Sequence, residues 1–123
     1  MAVYNEDREQ IALFTWIRLN QSRYPLLANA YHTPNGGHRD IRTAAKFKAM
    51  GVKRGVWDVF IPAPAPGLWV EMKFGNGKLT VEQSAWRECL SIYGYQFGVA
   101  YNWIEAARYI GAFVGMPEEE LPR

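Results

Sequence analysis

Hydrophobic and polar positions along the chain repeat with two different periods. Segments with one period predict helices, and segments with the other predict strands. Apolar residues spaced three or four apart predict helices at 5–20, 40–50, 80–93 and 102–114. Short apolar runs and two-residue alternation predict strands at 26–31, 56–61, 68–73 and 95–101. This order of elements indicates an α/β fold in which helices flank a central mixed β-sheet.

The signals between these elements support one domain. Thr80–Gln83 and Asn102–Glu105 match the capping-box pattern that begins a helix, and Gly51 is a usual helix end. The segment 32–37 is expected to be irregular, with an Asn-Gly-Gly turn that lets the backbone approach a ligand. We expect residues 1–115 to form a single domain and 116–123 to be a loosely ordered acidic tail.

The composition excludes several classes of protein. Hydrophobic residues make up 49% of the 123 residues, which is typical of a folded globular protein and not of a disordered one. A single cysteine cannot form an intrachain disulfide, and no Cys/His cluster has zinc-binding spacing. The first ten residues are too polar for a signal peptide, and no apolar run reaches membrane-spanning length. We therefore expect a soluble, cytoplasmic protein.

Positive charge is concentrated in one segment. Arg39–Arg54 contains six basic residues and one acidic residue, a local net charge of +5, whereas the rest of the chain has eight basic and eleven acidic residues. Such a segment is expected of a protein that binds the phosphate backbone of nucleic acid. On this feature alone, a solvated helix face is an equally good interpretation.

Three charged residues lie next to apolar strand positions. Glu71 and Lys73 are two residues apart, so on a strand their side chains share a face. Asp58 lies in the preceding strand, and a hairpin through the Pro-rich segment 62–67 would bring it close to Glu71. Each residue alone could be part of a weak surface ion pair. Burying all three without a function would be costly, so together they favour a site.

The chemistry of this trio suits a divalent cation. Two neighbouring carboxylates repel unless one is protonated or a cation is present. Magnesium prefers a few carboxylate and carbonyl oxygens, and the backbone carbonyl of Met72 lies between the two side chains. Lys73 can then orient or help deprotonate an attacking water and balance charge on a phosphate.

These residues resemble the PD-(D/E)XK nuclease superfamily, with Glu71-Met72-Lys73 as the E-x-K motif and Trp57-Asp58 where the pattern has Pro-Asp. The wider motifs resemble, in order, the compact VRR-NUC family: Asn35–Gly37, Ala49–Asp58, Leu68–Lys73 and Leu79–Gln83. The resemblance spans about residues 6–110. It implies a restriction-endonuclease-like αβββαβ core, dependence on Mg²⁺ or Mn²⁺, and endonuclease action on DNA. It also implies a homodimer and a preference for branched DNA such as four-way (Holliday) junctions.

The resemblance suggests further site residues. It implies an acidic metal ligand on the first helix, for which we favour Glu6 over Glu9, and a catalytic helix-borne Gln83. Gln83 is also the N3 residue of a capping box, and both roles can coexist. Among the aromatic residues, Trp57 is the candidate for a base contact, whereas His32 and His38 are expected to be ordinary surface residues. The expected DNA-binding residues are Asn35, Gly36, Gly37, Arg39, Arg42, Lys46, Lys53, Arg54 and Lys78.

The sequence therefore favours a metal-dependent endonuclease in which Asp58, Glu71, the Met72 carbonyl and Glu6 hold the metal and Lys73 assists the water. Two other classes stay open at this point. One is a DNA-binding accessory module that kept the fold and lost the chemistry, and the other is a protein-interaction domain. The complete set of charged site residues argues against the first, and the basic segment argues against the second.

Overall fold

The computed structural model describes residues 6–33 and 40–123. Asn5, the first residue of the helix predicted at 5–20, lies outside the described residues, as do the backbone-approach turn Asn35–Gly37, His38 and Arg39. The helices are α1 Glu6–Asn20, α2 Ile41–Ala49, α3 Val81–Ser91 and α4 Trp103–Phe113, and the strands are β1 Tyr31–His32, β2 Val59–Ile61, β3 Leu68–Met72 and β4 Gln96–Ala100. Short 3-10 helices cover Pro25–Asn29 and Glu118–Glu120.

The four strands form one mixed sheet in the order β1-β2-β3-β4. β1, β2 and β3 pair antiparallel, and β3 pairs parallel with β4. Every residue of the central strand β3 is buried. The predicted mixed sheet with flanking helices is confirmed, as is the hairpin connection through the Pro-rich segment, which aligns Val59 with Val70.

The sheet has an aliphatic face and an aromatic face because side chains alternate along each strand. Aliphatic residues of β2 and β3 form the main core with Leu13 and Ile17 of α1 and with Ala106, Ala107 and Ile110 of α4. On the other face, Phe60 stacks on Trp69 at 4.2 Å, and Trp86 of α3 meets Trp69 edge-on. Glu71 belongs to this second face, two residues after Trp69, so the predicted trio faces α3 and not the aliphatic core.

The segment predicted as a strand at 26–31 is mostly a 3-10 helix, so that prediction is wrong. Pro25 begins the turn, and Leu27 inside it is fully buried in the core. The strand that follows is only two residues long and includes His32, which the sequence placed in an irregular loop. A short apolar run is compatible with either structure, and long-range pairing with β2 selects the strand residues.

The acidic C-terminal segment packs onto the domain, so the expectation of a loosely ordered tail is wrong. Met116 and Leu121 are buried, and Leu121 lies against the backbone of Gly111 in α4. Glu120 accepts a hydrogen bond from the Tyr24 hydroxyl at 2.8 Å and pairs with Arg23 at 3.0 Å. Two buried apolar residues, and ion pairs of Glu118 with Arg108 and of Glu120 with Arg23, thus order a segment whose acidic composition suggested solvent.

Two glycines before β2 show how closely the chain approaches α3. Both adopt the left-handed backbone conformation, with φ of +99° at Gly51 and +87° at Gly55. A Cβ atom at Gly55 would lie 2.6 Å from the backbone oxygen of Glu82, whereas one at Gly51 would meet nothing within 4 Å. Because Gly55 has no side chain, the segment that leads into β2 packs directly on the first turn of α3.

We expect Gly55→Ala to destabilise the protein much more than the matched variant Gly51→Ala. The Gly51 change adds only the backbone strain of a left-handed alanine, about 1–2 kcal/mol. Gly55→Ala adds the same strain and also a clash with the Glu82 backbone, which can move only if α3 moves. We therefore expect Gly55→Ala to lower the free energy of unfolding at least twice as much as Gly51→Ala. Urea denaturation of both variants measures the difference, and equal losses would contradict the close packing at Gly55.

Candidate active site

Main-chain pairing between β2 and β3 places the two predicted carboxylates together. Asp58 immediately precedes β2, and continuing the β2–β3 register by one residue sets it opposite Glu71. The backbone amide of Asp58 donates to Glu71 Oε1 at 3.1 Å. The backbone amide of Met72 in turn interacts with the Asp58 carboxylate and opposes the rise in its pKa. A main-chain amide beside each acid thus interacts with the carboxylate of the other.

Glu71, Lys73 and Gln83 form a closed triangle of polar contacts. Lys73 Nζ lies 3.2 Å from Glu71 Oε2 and donates to Gln83 Oε1 at 2.8 Å. Gln83 Nε2 donates to the same Glu71 oxygen at 2.8 Å. The structure therefore brings together four of the residues expected in the site, Asp58 among them through its contact with Glu71.

Gln83 is also the N3 residue of the α3 capping box. Its Oε1 accepts from the Thr80 amide at 2.9 Å, and its own amide donates to Thr80 Oγ1 at 3.0 Å. The sequence allowed Gln83 both a capping role and a place in the site, and its side chain makes both sets of contacts. Because the cap fixes the side chain, the amide reaches Glu71 and Lys73 in a defined orientation.

The site carboxylates are removed from water. Glu71 is 7% exposed and is the one buried charged residue within 6–33 and 40–123. Desolvation raises the pKa of Glu71, the charge of Asp58 raises it further, and Lys73 and Gln83 partly oppose the rise. Desolvation likewise raises the pKa of Asp58, opposed mainly by His32. Both acids thus prefer a proton or a nearby cation.

Trp57, considered for a base contact, is fully buried, so that expectation is wrong. Its indole Nε1 donates to the backbone oxygen of Gln83 at 3.0 Å, and its ring packs edge-on against Phe97. The tryptophan thus links the segment that carries Asp58 to the first turn of α3.

His32 and Thr33 contact the site, which the sequence did not predict. His32 Nδ1 lies 2.9 Å from Asp58 Oδ1. Thr33 donates from its amide to the Asp58 carbonyl at 2.7 Å and from its hydroxyl to the Trp57 carbonyl at 2.8 Å. The pairing of β1 with β2 brings together residues that are 24 to 26 positions apart in the sequence, and no local pattern marks them.

The structure separates the two first-helix acids considered as metal ligands. Glu9 Oε1 accepts from the Trp103 amide at 2.9 Å, so its carboxylate caps the start of α4. Glu6 is exposed, and its carboxylate makes no hydrogen bond or ion pair with the described residues. Within 6–33 and 40–123, no group of three or more acidic, histidine or cysteine residues is arranged to hold a metal ion. A metal role for Glu6 stays a prediction.

The predicted DNA-binding residues that the structure describes are exposed, and three of them lie near the start of α3. Lys53 and Arg54 directly precede Gly55, which packs on Glu82, and Lys78 is two residues before the Thr80 cap. Arg42 and Lys46 lie on α2, a helix without a buried residue. None of these five side chains forms a salt bridge within the described ranges, so all are available to an anionic partner.

None of the helices that the structure describes is long and apolar enough to cross a membrane.

Comparison with known proteins gives a clear result for the fold. No protein-family model matches the chain, and no curated protein is significantly similar to it. Among solved structures, one described as a "VRR_NUC domain protein" superposes with a TM-score of 0.75 and 29% sequence identity. The match covers 94% of this chain and 93% of that chain.

This match agrees with the order of motifs in the sequence and with the mixed sheet flanked by helices. The paired carboxylates, Lys73 and Gln83 meet on that sheet where it packs against α3. The chain therefore adopts the restriction-endonuclease-like fold of a VRR-NUC domain and is a nuclease-like domain.

Proposed function

We propose that this protein is a metal-dependent endonuclease that hydrolyses phosphodiester bonds in DNA. The observation that carries the proposal is the triangle of Glu71, Lys73 and Gln83 beside Asp58. Two acids, one amine and one amide are held together by contacts from three different elements. The match to a VRR_NUC domain protein over nearly the whole chain supports a nuclease.

The residues present fit Mg²⁺ or Mn²⁺. Two partly desolvated carboxylates with raised pKa values need compensating positive charge, and Lys73 supplies only part of it. Asp58, Glu71 and the Met72 carbonyl would hold the ion, a small oxygen donor set that suits a cation retaining several waters. When bound, such an ion polarises the phosphate and lowers the pKa of water.

Lys73 has the position needed to act on the reacting groups. Its ammonium carries three donors, and the contacts to Gln83 and Glu71 use two of them. The remaining donor can orient the attacking water or balance charge that develops on the phosphate. Gln83 fixes the ammonium and one Glu71 oxygen at the same time, so the donor does not have to be ordered during the reaction.

The exposed basic residues supply a surface for DNA. Lys53, Arg54 and Lys78 lie around the first turn of α3, which also carries Gln83. Phosphates bound there would run past the carboxylates, with Arg42 and Lys46 of α2 extending the contact. Asn35–Gly37 and Arg39 complete the proposed DNA surface on the strength of the sequence motif alone.

The finer substrate follows from the resemblance. We propose branched DNA, such as a four-way junction, as the substrate and a homodimer as the active form in the cytoplasm. One site cuts one strand, whereas resolving a junction requires two symmetric cuts, and a two-fold dimer provides them.

Lys73→Met removes the ammonium and keeps most of the aliphatic stem. We expect cleavage to fall about 100-fold or more while DNA binding changes little, because the lost group acts on the reacting atoms. The assay offers linear duplex, flap and four-way-junction DNA with Mg²⁺, Mn²⁺ or EDTA.

Arg87→Met, an exposed change on α3, is the matched control and should cut normally. Equal cleavage by the Lys73 variant would refute the assigned role. A parental protein that binds junctions but cuts none of the DNAs with either metal would instead be a DNA-binding accessory module.

Asp58→Asn should stabilise the metal-free protein at pH 7. Because burial raises the pKa of Asp58 above its ordinary value of 3.8, the folded state retains a proton that the unfolded chain has lost. The free energy of unfolding of the parent therefore falls as the pH rises from 3.8 through the raised pKa. The variant with the neutral asparagine does not lose this stability. The difference in melting temperature should vanish at about pH 3, where the acid is protonated in both states.

The same melting experiment tests metal binding. Mg²⁺ or Mn²⁺ should raise the melting temperature of the parental protein and have little effect on Asp58→Asn, because the ion binds only the folded site. Glu88→Gln removes an exposed carboxylate on α3 and should respond like the parent. Equal stabilisation of parent and Asp58→Asn would place the ion elsewhere.

The salt dependence of DNA binding tests the basic surface. Lys53→Ala and Arg54→Ala should each weaken binding and reduce the steepness of the log affinity against log salt plot by about one, the effect of losing one phosphate contact. Arg18→Ala, at the end of α1, serves as the control of equal charge change. An unchanged slope for both test variants would remove these residues from the DNA surface.

A further inference from the structure

We propose that His32 is a positioning residue of the active site, which holds the Asp58 carboxylate through its ring nitrogen Nδ1. The proposal rests on the proposed function, because Asp58 is one of the two acids assigned to the metal. It adds a residue that neither the motifs nor the charge pattern of the sequence indicated.

The geometry of the ring determines which nitrogen donates. His32 Nδ1 lies 2.9 Å from Asp58 Oδ1 and 3.2 Å from the Asp58 backbone oxygen. Both of these atoms are acceptors, so Nδ1 carries the hydrogen and donates to them. The Met72 amide interacts with the same carboxylate from the opposite strand. Asp58 therefore interacts with residues of both β1 and β3.

The ring is placed by the backbone around it. His32 pairs with Val59 in the β1–β2 ladder, and Thr33 directly after it binds the Trp57 and Asp58 carbonyls. Both flanks of the histidine are thus fixed to the segment that carries Asp58. β1 has only two residues, Tyr31 and His32, and both pair with β2.

The exposure of His32 argues for a functional effect over a stabilising one. The His32 side chain is 41% exposed, whereas the Asp58 side chain is 20% exposed. A contact made by a side chain as exposed as His32 adds little to the stability of a fold. Hydrogen-bond partners of metal-binding carboxylates, in contrast, commonly change metal affinity 10- to 100-fold when removed, because they orient the ligand oxygens.

The test compares His32→Leu with His32→Asn. Leucine removes the donor, whereas the asparagine Nδ2 atom is as many bonds from the backbone as Nδ1 and can donate to Asp58 Oδ1. We expect the leucine variant to bind Mn²⁺ about tenfold more weakly and the asparagine variant to stay within about twofold of the parent. Titration of free Mn²⁺ by electron paramagnetic resonance gives this affinity without any cleavage.

Kinetics then separate positioning from DNA contact. His32→Leu should lose cleavage at low Mn²⁺ and recover most of it at saturating Mn²⁺, with KM for DNA unchanged. Tyr31→Leu is the matched control, since it alters the neighbouring β1 residue, which is half-exposed and contacts Phe60. It should leave Mn²⁺ affinity unchanged, and urea denaturation should show that all three variants are folded.

Specific results would overturn the proposal. Parental Mn²⁺ affinity in His32→Leu, absence of rescue by asparagine, or an equal loss in Tyr31→Leu would each exclude positioning by the ring. A parental protein that binds no Mn²⁺ and cuts no DNA would overturn the proposed function itself. Failure of the His32 role and failure of the nuclease are therefore distinguishable.

Discussion

The carboxylate of Glu71 is buried on the central strand of the sheet, and much of the surrounding structure compensates for its lost water. A backbone amide before β2 reaches one oxygen, and Lys73 and Gln83 reach the other. Burying an ionised acid without such partners would cost several kcal/mol, so these contacts are a requirement of the fold as well as of the site. Compensation is incomplete, since the pKa of Glu71 remains raised, and this residual demand for positive charge is what supports a cation site.

The first turn of α3 connects stability to function. Its capping box fixes Gln83, the Trp57 indole binds the Gln83 carbonyl, and Gly55 lets the incoming chain lie against Glu82. Each of these interactions is ordinary structural chemistry. Together they hold Gln83 where its side chain contacts both Lys73 and Glu71. The fold therefore positions the site through a helix cap and not through a flexible loop.

The acids of α1 illustrate how one residue type takes different tasks in neighbouring positions. Glu9 satisfies the backbone at the start of α4, which follows the end of β4 beside Lys73. The Glu9 carboxylate therefore links α1 to α4. Glu6, one turn earlier, is exposed at the same end of α1, and its carboxylate is not engaged by the described residues. The difference follows from the direction in which each side chain leaves the helix.

By itself, the sequence determined the α/β class, most helices and strands, and the grouping of Asp58, Glu71 and Lys73, because periodicity and strand alternation are local properties. Gln83 was identified with its capping role, since a capping box spans four residues. Only the tertiary structure decided that His32 reaches Asp58, that Trp57 is buried, and that the acidic C-terminal segment packs. These depend on strand pairing and on contacts between distant segments, for which the local pattern carries no signal. The spacing of residues in the sequence thus indicated the trio of Asp58, Glu71 and Lys73. The partners that orient this trio depend on the pairing of β1 with β2 and on the packing of α3 against the sheet.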